Sequence, residues 1–240
     1  FPRRAMYVSD MEGFAAFGLS LYRGVGCIGK RRYVADINVM HQIRRALKNK
    51  QSVFIYPESR HSNIGITSRI PNNMGRLAKA LGVPLVILSC KGSYLANPFW
   101  DEERTRKVPM KANMKCLYTT EELSEAKAED IQKSIENSLL YDEYRYQQEN
   151  GILIKEKYRA EGIHKPLYQC HKCGTKYKMT SNLDKLSCKS CKASWTLTED
   201  GWLKDESASE KIHIPDWYEW ERTEATANEE TFIRKYKVRI

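Results

Sequence analysis

The 240 residues contain no apolar run near the ~20 residues a helix needs to cross a bilayer. They contain no internal repeat and no low-complexity tract, which sets aside repeat architectures and simple linkers. A secretory leader pattern is missing as well. These absences describe the printed residues and say nothing of any chain beyond them. No Gly-x-Ser-x-Gly occurs, so Ser62, Ser89 and Ser93 lack the elbow of a serine hydrolase. Histidine is scarce: His41, His61, His164, His171 and His213 are the whole set, and none has an Asp at the fifth following position.

What is present fits one medium domain, or one domain with a small module. Apolar residues make up 41% of the chain, enough for a core. The net charge of +10 is uneven. Residues 1–119 carry 20 Lys and Arg against 7 Asp and Glu, so the basic balance belongs mainly to the first half. Such a field suits an anionic membrane, a phosphorylated lipid, an acidic acyl carrier or a nucleic acid.

Helical and strand patterns alternate through that half. Residues 11–22, 35–49 and 72–81 read as helices. Residues 25–29, 52–56, 83–88 and about 108–118 read as strands. The alternation implies an α/β fold, a mostly parallel sheet with flanking helices, over residues 1–150. Ile37, Met40, Ile43 and Leu47 form the apolar stripe of the second helix. In the first, Phe14, Ala15, Phe17 and Leu21 recur at helical spacing, which core packing and membrane contact explain equally. Thr119 and Glu122 make a capping-box signature for a helix running to about 148. Residues 151–166 read as a charged connector.

The densest chemistry lies at Tyr56-Pro57-Glu58-Ser59-Arg60-His61-Ser62, where an apolar strand stops at a proline. Open α/β sheets bind ligands at such strand exits. This segment resembles the third motif of the lysophospholipid (1-acylglycerol-3-phosphate) acyltransferase family, roughly Phe-Pro-Glu-Gly-Thr-Arg-Ser. Pro57, Glu58 and Ser62 match, while Ser59, Arg60 and His61 stand for Gly, Thr and Arg. Val83–Leu88 is similar to the family's Val-Pro-(Ile/Val)-x-Pro-Val, with Ile87 in place of the second proline. Gly24–Lys30 is similar to its Gly-x-Ile-x-Ile-x-Arg, with Lys30 in the Arg position.

The resemblance covers residues 1–100. It implies transfer of an acyl chain from acyl-CoA or acyl carrier protein to a lysophospholipid acceptor at a membrane surface. It also implies Lys30, Glu58, Arg60, His61 and Ser62 as substrate-binding residues. The family's catalytic His-x-x-x-x-Asp is not in this chain, which opens on Phe1-Pro2 and reads as a piece beginning after that motif. The 240 residues alone are therefore expected to be inactive. A non-catalytic scaffold is the other reading of the same absence.

Cys170-x-x-Cys173 and Cys188-x-x-Cys191 lie 14 residues apart. Paired knuckles at this separation predict a four-cysteine zinc ribbon over residues 167–204. Each knuckle turns two thiolates onto one point, Gly174 permits the tight backbone beyond the first, and Tyr168, Tyr177 and Trp195 supply a small core. Four thiolates leave no open position, so the zinc is structural and His171 a bystander. Cys27, Cys90 and Cys116 are left over, and nothing points to an oxidising compartment. A cytoplasmic location with peripheral membrane association is expected.

Residues 205–240 form an aromatic and acidic extension. Its stretch His213–Arg222 is expected to clasp the ribbon or the main domain. A nucleic-acid-binding ribbon protein is the alternative function. The ribbon's modest charge balance and the unexplained Pro-Glu block weigh against it.

Overall fold

Apolar residues that alternate along a strand put one sheet face toward a helix, and the first sheet is built that way. A computed structural model describes residues 5–10, 18, 24–31, 36–58, 60–101 and 103–227. In it β1 (Ala5–Asp10) lies between β2 (Cys27–Lys30) and β3 (Ser52–Ile55), and both pairings are parallel. Val8 and Ile28 are buried against α1 (Ile37–Lys48), whose Val39, Ile43 and Ala46 line its inner face. Asp36 caps that helix by accepting from the Asn38 N–H at 3.0 Å. Of the stripe expected from sequence, Met40, Ile43 and Leu47 pack in this core, whereas Ile37 sits in the first turn and is 71% exposed. The helix expected over residues 11–22 falls almost wholly outside the described residues.

The expectation of a mostly parallel sheet needs correction. β4 (Leu85–Lys91) pairs antiparallel with β5 (Lys111–Tyr118) in a separate two-stranded sheet. A parallel crossover needs a covering helix. The chain between these strands instead holds only the short α3 (Ser93–Ala96) and sends Leu95 and Trp100 into another core. One face of the β4–β5 pair packs on α2 (Met74–Leu81) and the helices after β5. Gly75 permits the close approach, since a Cβ there would lie 2.2 Å from the Ala128 carbonyl oxygen.

The single helix expected to about 148 is three. They are α4 (Thr120–Glu125), α5 (Ala128–Leu139) and α6 (Glu143–Glu149). The capping box at Thr119 and Glu122 is formed. Extended backbone at Ala126 and Lys127, and again at Leu140 and Asp142, interrupts the run. The second break frees Asp142 to cap α6 through the Tyr144 and Arg145 N–H groups. It also places the Glu143 carboxylate 3.0 Å from the Gly92 N–H at the start of α3.

The remaining strands form an antiparallel meander: β6 (Met179–Asn182), β7 (Lys185–Cys188), β8 (Ser194–Leu197), β9 (Trp202–Asp205) and β10 (Lys211–His213). α7 (Ile214–Ala227) follows at once and packs Trp217 edge-on against Trp195, with ring centroids 4.8 Å apart. The aromatic stretch thus clasps the ribbon, as expected; residues 228–240 lie outside the described residues.

The largest core joins Leu186, Trp195, Leu203 and Trp217 of this half to Ile64, Leu95, Trp100 and Tyr144 of the other. Residues 151–166 take part in it, with Ile154, Ala160 and Ile163 buried. The whole is a mixed α/β arrangement of three sheets among the described residues. No helix among those residues is long and apolar enough to cross a membrane.

Glu221 on α7 is 1% exposed and accepts from the Gln169 N–H at 2.7 Å. Burial pushes its carboxyl from about 4.5 up to about 8. Below about 4.5 both folded and unfolded chains hold this proton, and the group's contribution to stability is complete. As pH rises toward about 8 only the unfolded chain ionises, so stability falls. Glu221→Gln keeps the acceptor and removes the ionisation. Denaturation midpoints between pH of about 5 and about 8 should therefore decline less in this variant than in the parent.

Candidate functional site

The two knuckles fold alike. In the first, the Cys170 N–H donates to the Thr175 carbonyl at 3.0 Å and the Gly174 N–H to the Cys170 carbonyl at 2.9 Å. In the second, the Cys188 N–H donates to the Ala193 carbonyl at 2.9 Å and the Lys192 N–H to the Cys188 carbonyl at 3.0 Å. Each turn needs a left-handed residue after its second cysteine. Gly174 takes that place at φ +68 and Lys192 at φ +63, so the second knuckle adopts it without glycine.

These turns bring four sulfurs within 4.8 Å of one another. Cys170 Sγ lies 3.6 Å from Cys191 Sγ, and Cys173 Sγ 3.8 Å from Cys188 Sγ. A tetrahedral ion with metal–sulfur bonds of about 2.3 Å sets its sulfurs about 3.8 Å apart. A disulfide would bring two of them to about 2.05 Å, and all four cysteines are free. The spacing therefore fits a single metal ion held by four thiolates.

Without a metal, burial raises the Cys170 thiol above its usual range. The Thr175 hydroxyl, 3.3 Å from Cys173 Sγ, leads the interactions that lower Cys173. The ring of His171 stays outside the cage and packs on Trp217 and Trp220 at 5.3 and 5.0 Å. Of the expected aromatic core, Trp195 is fully buried, while Tyr168 and Tyr177 stack at the surface, where Tyr177 is 55% exposed.

The second cluster sits at the carboxyl edge of the parallel sheet. Lys30 ends β2 in register with Asp10, the last residue of β1. Ile55 ends β3 two residues short of that level, opposite Val8, and Arg60 and His61 follow it in sequence. One strand lies between, so the exits of β2 and β3 are about 10 Å apart. Lys30, Arg60 and His61 are exposed and make no ion pair among the described residues. Neighbouring Arg31 lies 3.6 Å from Asp36 and so does not share that freedom.

Glu58 and Ser62 play a different part from the cations. The Glu58 carboxylate accepts from the Ser68 N–H at 2.7 Å, and the Ser62 hydroxyl donates to the Ile66 carbonyl at 2.6 Å. Both close the loop after β3 on itself. Ser59 lies outside the described residues.

Two features escaped the sequence reading. Asp10 at the end of the central strand has no motif around it, and only register places it beside Lys30. His213 Nε2 lies 2.8 Å from Asp142 Oδ2 across 71 positions of sequence. That pair is walled by the Tyr144 and Trp202 rings, and His213 is 5% exposed. It ties β10 to the start of α6 and offers no space for a substrate hydroxyl.

Comparison with protein-family models, with curated proteins and with solved structures finds no match.

The cage yields a direct expectation. Purified chain should carry one metal ion, and Cys191→Ser should lower the metal content while weakening the near-ultraviolet signal of the adjoining Trp195 and Trp217. Full metal content in the variant would show that Cys191 is not a ligand.

Proposed function

We propose that this chain is the acceptor-binding part of an acyltransferase, which moves an acyl group from acyl-CoA or acyl carrier protein to a lysophospholipid-like hydroxyl. The observation that carries the reading is the exposed cationic edge, where Lys30, Arg60 and His61 follow the exits of the two strands that flank β1 and make no ion pair among the described residues. Open sheets of this kind bind ligands at that edge. Exposed cations there match the phosphate of the acceptor, and guanidinium suits it best through paired hydrogen bonds. The order of the three motif-like segments supports the same reading, and the basic first half favours an anionic membrane surface as the place of action.

In such a transfer the acceptor hydroxyl loses its proton to a base as it attacks the thioester carbonyl, and the thiol of the donor leaves. A histidine oriented by a carboxylate is the usual base. Within this chain no histidine has the family's spacing, and the His213–Asp142 pair is enclosed. The residues at hand therefore bind and orient the acceptor, with Glu58 and Ser62 fixing the loop that presents Arg60 and His61.

The metal assigned to the cage is zinc. Four thiolates in a tetrahedron suit it, and a filled coordination shell makes the ion a structural cross-link rather than a catalyst. Iron in a mononuclear four-cysteine site would show visible absorption, which separates the two.

Three measurements test the reading. The 240-residue chain should show no acyl transfer above a protein-free control, and turnover abolished by changing one of its own histidines would overturn that. Arg60→Ala should weaken binding of a phosphorylated acceptor by about 1.5–3 kcal/mol, the worth of a hydrogen bond to a charged group. Acyl-donor binding should stay unchanged. Unaltered acceptor affinity in Arg60→Ala, His61→Ala and Lys30→Ala alike would place the site elsewhere. Salt-sensitive binding to oligonucleotides that exceeds binding to phosphorylated lipid vesicles would replace it with nucleic-acid recognition.

A further inference from the structure

The loop that carries Arg60 and His61 is built into the core of the metal-binding half. Ile64 is 1% exposed and belongs to the same cluster as Leu186, Trp195, Trp217 and the ligands Cys170 and Cys188. The Asn63 side-chain amide donates to the Tyr218 hydroxyl on α7 at 3.1 Å, across 155 positions of sequence. The Asn63 carbonyl accepts from the Tyr94 hydroxyl at 2.7 Å. Beyond it, the Gly65 carbonyl accepts from the Glu143 N–H at 2.9 Å, and the Thr67 N–H donates to the Tyr141 carbonyl at 3.0 Å. Every residue from Asn63 to Thr67 thus has a fixed attachment outside the loop, while Arg60 and His61, three and two positions earlier, face solvent.

From Tyr218 the contacts lead to the cage within one residue. Its neighbour Trp217 is fully buried against Trp195 of β8. The Trp217 Nε1–H donates to the Gln169 carbonyl at 3.0 Å, and the Gln169 N–H donates to Glu221 on the same helix. Gln169 precedes the first ligand, Cys170. Helix α7 is therefore held at one end of this path by the backbone beside the cage, and it holds Asn63 at the other.

We propose that Tyr218 and Asn63 are positioning residues through which metal binding at the four cysteines orders the loop presenting Arg60 and His61. The proposal rests on the acceptor-phosphate reading of those two cations. A ribbon of this kind owes its fold largely to its metal. Loss of the ion should therefore loosen β6–β8, release α7 and free Asn63. Cations on a loosened loop sample many positions, and their convergence on one dianion weakens accordingly. Two discrete arrangements, loop anchored and loop released, are then biased from the cage, which is coupling between two sites in the thermodynamic sense.

The test uses the full chain and amide hydrogen exchange. Its reporters are Thr67, whose N–H meets the Tyr141 carbonyl, and Ser68, whose N–H meets the Glu58 carboxylate. Tyr218→Phe removes one hydroxyl and little packing. It should speed exchange at Thr67 and Ser68 roughly fivefold, the worth of one neutral hydrogen bond, and leave Cys188 in β7 and Ile43 in α1 unchanged. Removing metal from the parent chain with a chelator should speed exchange in β7 and at Thr67 and Ser68 together, with Ile43 again unchanged. Unaltered exchange at Thr67 and Ser68 in both arms would overturn the proposal. Affinity for glycerol 3-phosphate, measured on the same samples, keeps the two ideas apart. A weaker affinity in Tyr218→Phe supports both, whereas faster exchange with unaltered affinity keeps the anchor and removes the phosphate reading.

Discussion

Four sulfur atoms within 4.8 Å of one another are the constraint on which the larger core depends. As thiolates they repel, and burial of Cys170 and Cys188 makes that repulsion stronger than it would be in water. A metal ion bound by all four would convert the crowding into four bonds and so couple its binding to the fold of residues 167–204. The meander is only three or four residues per strand and cannot enclose a core of its own.

That shortage explains why the ribbon is not a bead on a string. Trp195 needs a cover, and α7 supplies it with Trp217. Leu186 and Leu203 need neighbours, and the cluster takes them from Ile154, Ala160 and Ile163 just ahead of the ribbon and from Ile64, Leu95 and Trp100 far ahead of it. Buried polar groups set the register of this union. Arg106, paired with Asp101 at 3.2 Å, donates to the Arg159 carbonyl at 3.1 Å, and His213 meets Asp142 at 2.8 Å. Each would be costly to strand in an apolar core without its partner. They fix which surfaces meet more than they raise stability.

Local chemistry was legible in the sequence and distant pairing was not. The capping box at Thr119, the turn at Gly174 and the knuckle spacing all depend on residues within a few positions of each other, and all are formed as read. The periodicity of residues 121–148 hid two breaks. An apolar stripe continues in phase across a kink, and only Asp142 with its bonds to Tyr144, Arg145 and His213 shows why the chain must bend there. Strand direction was equally hidden. β4 and β5 look like any two strands of an α/β pattern, and their antiparallel pairing follows from where Leu95 and Trp100 are buried. At the candidate acceptor site the cations were readable as residue types. The roles of Glu58 and Ser62 as loop braces, and the attachment of Asn63 to Tyr218, required contacts at separations of 10, 4 and 155 positions.

The phosphate site proposed at the edge of the parallel sheet needs cations whose charge is still available, and Asp36 and Glu58 are engaged elsewhere. Asp36 faces Arg31 and caps α1, while Lys30, in register with Asp10, makes no ion pair among the described residues. Glu58 lies two positions from Arg60 and would neutralise it if the two met. Its carboxylate is instead engaged by the Ser68 N–H, a neutral donor that stabilises the negative charge without adding a positive one. The arrangement keeps the Glu58 carboxylate occupied and leaves Arg60 exposed to solvent. The brace works only while Ser68 is held in place, and the residues just before it are fastened to Tyr141, Glu143 and Tyr218. Exposure of the cations at one end of the loop thus follows from burial of Ile64 at the other, in a core whose far wall is the cysteine cage.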